Sequence, residues 1–462
     1  MTGAHRAGIG IPGGNNGDRG GLTSRWKLLF GFALLGILDV NCGGGGLSST
    51  SEPTVAVVSP PSTGETRFDI VKDFGADESG RRDSTEAIDK AVKAINAIGG
   101  NAILYFPPGT YNVFSSKQDS PAFFSNVDGL WISGYGATIR ENTTWNVHDS
   151  RSLFAFRNAV NNVRISGFTY QGAVTREQVA LGTYTGCAFT YFSENAGGGG
   201  NILIEDVTVS GAGSATQMTR KCTEPIENLI TKVNFRNVKV SDSAYGITLN
   251  NTAWNTVVDG LSTEWVYRSF FVWGLKGVKA TIVSKDNQGN DCFLNADNGG
   301  GIEDADIDYT NTESTSTISS SANRILIMFN TTPTGTTPSV FKNIHIRTNQ
   351  VFAPGANTGW MAMQFMRSPN DNNIVHVLHD FTFSGYIKGV PANPGYGVAG
   401  MNGDYNWSNG DFRNIAMRDL VLEDTNGINI ISDPIKDTLI VDNVVFASSS
   451  DIIRVHAMQT NP

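Results

Sequence analysis

The chain has 462 residues, 52 of them Gly, and a formal net charge of −9 at pH 7. That length is enough for a sizeable core, and the acidic balance argues against nucleic acid as a partner. Its 4 Cys form no CxxC pair, and neither a paired-His metal motif nor a GxxxxGK[ST] loop is present, so metal or nucleotide chemistry carried by a short motif is not indicated.

Arg25 and Lys27 precede an uncharged run from Leu28 to Leu38, followed by Asp39 and Cys42. The run is too short to cross a bilayer, which takes about 20 residues, and suits the core of a signal peptide. Residues 1–41 are therefore read as a signal or anchor segment. Because the leader carries more basic than acidic residues, the remainder is more acidic than the whole. Residues 42–66, Gly-rich and then rich in Ser, Thr and Pro, read as a flexible linker, and 67–462 as the folded domain. Cys42-Gly-Gly-Gly-Gly resembles the start of a mature bacterial lipoprotein, which implies lipidation of Cys42 and attachment to a membrane through that lipid. Asp39, Val40 and Asn41 depart from the usual Leu, small residue and Gly or Ala before the Cys. Lipidation, simple signal cleavage and an uncleaved anchor all stay open, and all three export the domain, as a secreted or envelope-attached protein.

Within the domain, Asp83 is a good N-cap and Glu86 completes a capping-box pattern. Ala87, Ile88, Ala91, Val92 and Ile95 then form one apolar helical stripe. Such a helix can plug the bare end of an apolar stack.

From Gly129 to Phe446 one short phrase recurs. Asn162-Val-Arg-Ile-Ser-Gly-Phe-Thr-Tyr170, Asn201-Ile-Leu-Ile-Glu-Asp-Val-Thr-Val209 and Gly301-Ile-Glu-Asp-Ala-Asp-Ile-Asp-Tyr309 each set two apolar alternations around a Gly or Asp, the pattern of strand, bend and strand. The bend runs through Gly134, Gly167, Asp206, Asn237, Gly260, Asp306, Asn343, Asp380, Asp419 and Asn443, residue types that tolerate left-handed backbone. The steps from Asn237 to Gly260 and from Asp419 to Asn443 set a period, and the longer step from Gly167 to Asp206 implies an inserted loop. A fixed period with variable insertions describes a solenoid.

A second series of strands falls between the phrases: Cys187-Ala-Phe-Thr-Tyr-Phe192, Tyr245-Gly-Ile-Thr-Leu-Asn250, Ser269-Phe-Phe-Val-Trp273, Asp291-Cys-Phe-Leu-Asn295, Arg324-Ile-Leu-Ile-Met-Phe329 and Trp360-Met-Ala-Met-Gln-Phe365. With no helical period between strands, the expectation is an all-β parallel β-helix solenoid with an N-terminal capping helix. The alternative, an antiparallel sandwich or propeller, needs hairpin turns at regular places, and the few Asn-Gly pairs here are irregular.

Phe68-Asp-Ile-Val-Lys-Asp-Phe-Gly-Ala76, Asp83-Ser-Thr-Glu-Ala-Ile88 and Gly99-Gly-Asn-Ala-Ile-Leu-Tyr-Phe-Pro-Pro-Gly-Thr-Tyr111 together resemble the opening of the pectate-lyase-like superfamily that includes rhamnogalacturonases, epimerases and phage tailspikes. The resemblance implies a right-handed single-chain parallel β-helix, a polysaccharide partner and an enzyme of the lyase or hydrolase kind, and leaves a homotrimer open. Family membership does not fix the reaction. Gly289-Asn-Asp-Cys-Phe293 resembles the Gly-Asp-Asp-Cys segment of polygalacturonases, but Asn290 replaces the first Asp. Arg268-Ser-Phe stands near where their Asn-Thr-Asp would be, and no His lies between Thr310 and Asn330 for their Gly-His-Gly. Their catalytic set is therefore not expected here.

Glycoside hydrolysis needs two carboxyls across the scissile bond, and Asp286, Asp291 and Asp297 are the candidates. β-Elimination needs a base at C5 of a uronate and a positive partner for its carboxylate. Arg268 and Arg324 at strand entries, with Lys285 between them, supply positive charge. If the coils stack in register, these basic residues and Asp291 share one face and could hold a uronate directly or through Ca²⁺, whereas a structural ion-pair ladder is the competing reading. Tyr245, Trp265 and Tyr267, with Trp254, Trp273, Trp360 and Trp407, are candidate sugar-stacking residues, while Phe270, Phe271 and Phe293 read as core. Asn250, Asn295 and Asn330 read as a structural amide ladder, and Cys187 and Cys222 as either a disulfide or buried thiols.

The expected function is an exported enzyme that cleaves an acidic polysaccharide by β-elimination or hydrolysis. Asp291, Arg268 and Lys285 are the catalytic candidates, and Arg324, Tyr245, Asp286, Asp297, Trp265 and Tyr267 the substrate-binding ones. The rivals are a uronate epimerase and a non-catalytic glycan-binding adhesin. No cofactor is demanded, with Ca²⁺ the open case.

Overall fold

The computed structural model describes residues 65–114, 121–141, 152–182, 187–192, 199–218, 230–250, 253–297, 301–314, 324–330, 338–353, 362–367, 375–389, 399–401, 410–425, 428–431, 439–447 and 453–456. The leader, Cys42, most of the linker, Cys222, Trp360 and Trp407 lie outside them.

Every strand pairing among the described residues is parallel, and strands alternate between two series that stack on their own kind, except that the start of Ser152–Gln171 pairs with Ala188–Phe192. The long series includes Phe124–Glu141, Ser152–Gln171, Gly200–Ser210, Ile230–Ser241, Ala253–Glu264, Leu275–Lys285, Gly301–Thr312, Val340–Val351, Val377–Lys388, Asp411–Glu423 and Leu439–Ala447. The short series includes Ala188–Phe192, Ser214–Met218, Tyr245–Asn250, Arg268–Trp273, Cys292–Asp297, Ile325–Asn330, Met363–Arg367 and Ala399–Met401. The result is the expected parallel β-helix. Inward positions stack into one continuous apolar core, as in the columns Ile204, Phe235 and Val258, or Val272, Leu294 and Ile327.

The helix Thr85–Ile98 buries Ala87, Ile88, Ala91, Val92 and Ile95 as its stripe predicts and ends on Gly99 in left-handed conformation. Its N-cap is Ser84, one residue later than the sequence suggests. Asp83 instead accepts the Thr85 N–H at 2.7 Å, and Glu86 pairs with Lys90 at 2.8 Å.

The bends form two columns where the sequence suggests one. Asn101, Gly129, Asn162, Asn201, Lys232, Asn255, Gly277, Asp304, Asn343, Asp380 and Asn414 share one height on successive strands, all with positive φ. Gly167, Asp206, Asn237 and Gly260 form the second column, which returns at Asp419 and Asn443. Between Val258 and Leu261 the register shifts because Asp259 and Gly260 face a single residue, Thr281. With the second bend deleted, the middle strands run on without it. Asp306 therefore lies on ordinary strand, and the bend falls on Asp304. Amide ladders stitch both columns: Asn201 donates to Asn162 at 2.6 Å, Asn343 to Asp304 at 2.9 Å and Asn443 to Asp419 at 2.7 Å. The ladder expected at the strand ends is not this one, although Asn295 is buried.

A further corner joins each long strand to the following short strand. Gly211, Asp242, Trp265 and Asp286 occupy it with φ of 63, 49, 55 and 50. The corner hydrogen bonds follow the stack, from Gly211 N–H to Ser241, Asp242 N–H to Glu264, Trp265 N–H to Lys285 and Asp286 N–H to Thr312.

Candidate functional site

The corner decides where each candidate side chain points. Phe270, Cys292 and Ile325 are in register on three adjacent short strands, so Ser269, Asp291 and Arg324, each one residue earlier, share a height. All three turn into the corner and are fully buried. Asp291 accepts from the Tyr309 hydroxyl at 2.6 Å and from Ser269 Oγ at 3.2 Å, and lies 3.6 Å from Arg324 Nη1. Arg324 donates through Nε to Glu313 at 2.6 Å and through Nη1 to the Asn287 carbonyl at 2.9 Å. Asn287 in turn donates to Thr263 and Ser269, each at 2.8 Å. Burial pushes the Asp291 carboxyl up, against the opposing pull of Arg324. This is a closed internal network whose charges pair with one another. The positions of Asp291 and Arg324, at 0% exposure, put both out of reach of a glycan, and the competing reading, a structural ion-pair ladder, describes them.

Arg268 stands one residue before Ser269, at the corner, where the turn rather than strand alternation sets the side-chain direction; by parity with Phe270 it would point inward. Its guanidinium lies on the outer side, 5.2 Å from the ring centroid of Tyr267, 4.7 Å from Phe271 and 4.6 Å from Phe293. The rings beneath it are stacked across three coils: Tyr245 on Phe271 at 6.0 Å and 20°, and Phe271 on Phe293 at 4.9 Å and 16°. Trp273 tilts against Phe271 at 5.0 Å, and Tyr267 meets Tyr245 edge to face at 6.4 Å. Arg268 is 9% exposed, and its Nε is buried with no hydrogen-bond partner. Among the described residues no carboxylate pairs with it, in contrast to Arg324. A nearly buried cation held only by aromatic faces retains hydrogen-bonding capacity for an anion.

The other predicted residues fall elsewhere. Lys285 ends a long strand on the far side of the corner from Arg268, solvent-exposed and 2.9 Å from Glu264. That hydrogen bond and the Glu264 charge hold its ammonium above the usual range. Trp265 lies in the corner under the Arg176 guanidinium, 5.0 Å from its centroid, and Arg176 also pairs with Asp242. Asp286 is buried and accepts from both the backbone N–H and the hydroxyl of Ser314, at 2.7 and 2.5 Å, which is a turn-fixing role. Asp297 ends its short strand opposite Asn330. Cys187 is buried and donates to Glu141 at 3.4 Å, and its candidate partner Cys222 lies outside the described residues. Among the described residues no group of three or more His, Cys, Asp or Glu could hold a metal ion, and Asp286 and Asp291 are already committed, so these residues do not fit the Ca²⁺ site considered from sequence.

Residues 68–120 match the protein family described as rhamnogalacturonase A/epimerase, pectate lyase-like. The chain is a parallel β-helix whose opening segment is similar to that family. Curated relatives include alpha-1,3-galactosidase A of Peterkaempfera griseoplana, 41% identical over 68 residues, or 14% of this chain and 9% of that one. Mannuronan C5-epimerase AlgE6 of Azotobacter vinelandii is 38% identical over 66 residues, 14% of this chain and 7% of that one. This chain thus spans under a tenth of each. Among solved structures, the AlgE6 A-module aligns over 82% of this chain and 99% of its own, with a TM-score of 0.49 and 15% identity.

In this β-helix protein the structure unites Arg268, Tyr245 and Tyr267, and separates them from Lys285, Trp265, Asp286, Asp291 and Arg324. Phe271 and Phe293 are buried as expected but lie apart from the continuous inner cluster, beside Arg268. The signal was available: Phe270 and Val272, like Cys292 and Leu294, are the inward pair, and alternation puts Phe271, Trp273 and Phe293 outward.

Proposed function

We propose that this chain is an exported protein that binds and cleaves an acidic polysaccharide on the outer face of its short strands, with Arg268 holding a uronate carboxylate. The observation that carries the proposal is the nearly buried guanidinium with no anionic partner, set among stacked aromatic rings. Sugar rings present C–H faces to aromatic residues, and Tyr245, Tyr267 and Trp273 remain partly exposed around the cation. The family names of the relatives, a galactosidase and a mannuronan epimerase, agree with a polysaccharide partner.

β-Elimination is favoured over hydrolysis. Hydrolysis requires two carboxyls facing the bond, whereas Asp286 and Asp291 are buried in fixed hydrogen bonds. Elimination requires a cation on the uronate carboxylate, so that the C5 proton can leave to a base while the bond to the 4-oxygen breaks and an unsaturated end forms. Arg268 takes the first role, and the phenols of Tyr245 and Tyr267 are the nearest candidates for moving the proton. Export, and attachment through Cys42, belong to the same proposal.

The test incubates the full chain and Arg268→Met with polygalacturonate, alginate and neutral glycans, following ultraviolet absorbance of unsaturated ends together with new reducing ends. Both signals rising for wild type and lost in Arg268→Met is the expected result. Reducing ends alone would replace elimination with hydrolysis. Binding of an acidic glycan without either signal would leave Arg268 as a recognition residue of a non-cleaving protein or epimerase.

A further inference from the structure

The outer surface of the N-terminal coils carries a second built feature, on the long strands and independent of Arg268. Between Ser133 and Ala137 the register shifts, because Gly134, Tyr135 and Gly136 face a single residue, Gly167. The extra residues project Tyr135 onto the neighbouring coil. A Cβ on Gly167 would meet Tyr135 Cγ, Cδ1 and Cδ2 at 2.5, 2.6 and 2.8 Å. Near-equal approach to both Cδ atoms means that the ring lies face-down on Gly167. The hydroxyl donates to Asp206 on the next strand, at 3.0 Å, which pins the ring along the stack. Tyr135 is nevertheless 47% exposed, so its other face looks to solvent.

The surroundings are polar, and their charged groups are held by partners within the fold. Glu205 is fully buried between Arg164, at 2.5 Å, and Arg236. Arg164 covers Trp131 at 4.8 Å, and Trp131 Nε1 donates to Ser166 at 2.8 Å. Arg164 and Arg236 both pair with Glu205, and Asp206 accepts from Tyr135 and Asn237, so the charged groups around the ring are already engaged within the fold. What remains is a flat aromatic face edged by hydrogen-bond donors and acceptors, including the half-exposed Arg236. That combination suits the C–H face of an uncharged pyranose whose hydroxyls reach the rim.

We propose that Tyr135 is the platform of a second carbohydrate-binding surface, which takes a neutral sugar ring of a polysaccharide. This surface complements Arg268, whose unpartnered charge selects an anionic residue, and it does not depend on that site being catalytic. The competing role for Tyr135 is packing alone, the ring shielding the bare backbone of Gly167.

Affinity electrophoresis of the full chain in native gels containing galactomannan, xylan or agarose separates the two roles. Wild type should be retarded by at least one of these neutral glycans, Tyr135→Ala should lose that retardation, and Tyr135→Phe and Arg268→Met should keep it. A thermal melt of Tyr135→Ala matching wild type within a few degrees would show that the loss is not unfolding. Equal retardation of Tyr135→Ala and wild type, or no retardation of wild type in any of the three gels, would overturn the proposal.

Discussion

Arg268 and Arg324 open short strands two coils apart, and their environments are opposite. Arg324 is fully buried and held by Glu313, Asp291 and backbone carbonyls, so its charge is answered within the fold. Arg268 is nearly as buried, yet only ring faces answer it. One residue of offset at the corner separates a structural charge from one available to a ligand. Burial or residue type alone would not distinguish the two, whereas counting partners does.

Removing Arg324 should give the largest effect. Arg324→Met leaves Asp291 and Glu313 buried without their cation and should cost about 3–5 kcal/mol, read as a lowered denaturation midpoint. Arg268→Met should change stability by about 1 kcal/mol or less, because the lost ring contacts are offset by removing an unpaired buried charge. Equal losses in the two variants would erase the contrast.

Gly167→Ala should follow at about 1–3 kcal/mol, since φ is 81 and the added methyl would collide with Tyr135. Pairing it with Tyr135→Ala should recover the steric part, leaving only the backbone strain.

Asp291→Asn tests the sign of the buried carboxyl. A carboxyl whose pKa is raised on folding stabilises most when protonated, and its contribution falls as pH rises through the raised value. The melting temperature of Asp291→Asn relative to wild type should therefore climb as pH increases from the normal carboxyl range into the raised one. A flat difference would mean that Arg324 and Tyr309 fully offset the burial. Smallest of all, Lys285→Ala should leave the denaturation midpoint indistinguishable from wild type, because its pair with Glu264 is solvent-exposed.

Much of the fold was legible because alternation, Gly/Asn/Asp bends and a recurring phrase all report the same stack. The two bend columns were not separable, since both use the same residue types and differ only in register; thus Asp306 and Asp304 look equivalent in the sequence. The site was legible in part. Arg268, Tyr245 and Tyr267 were found as charged and aromatic residues at strand entries. Asp291 and Arg324 share those features, and only the turn geometry, which sends one residue inward and its neighbour outward, tells them apart. Phe271 and Phe293 are buried, as aromatic runs suggest, but their parity with Phe270 and Cys292 puts them beside Arg268 rather than in the inner cluster.

The most direct measurement compares Arg268→Met and wild type on acidic polysaccharide at matched folded fractions, scoring binding and release of unsaturated ends. Wild-type stability with loss of both binding and product is the predicted result. Binding and turnover equal to wild type in Arg268→Met would contradict the assignment of this face as the functional site.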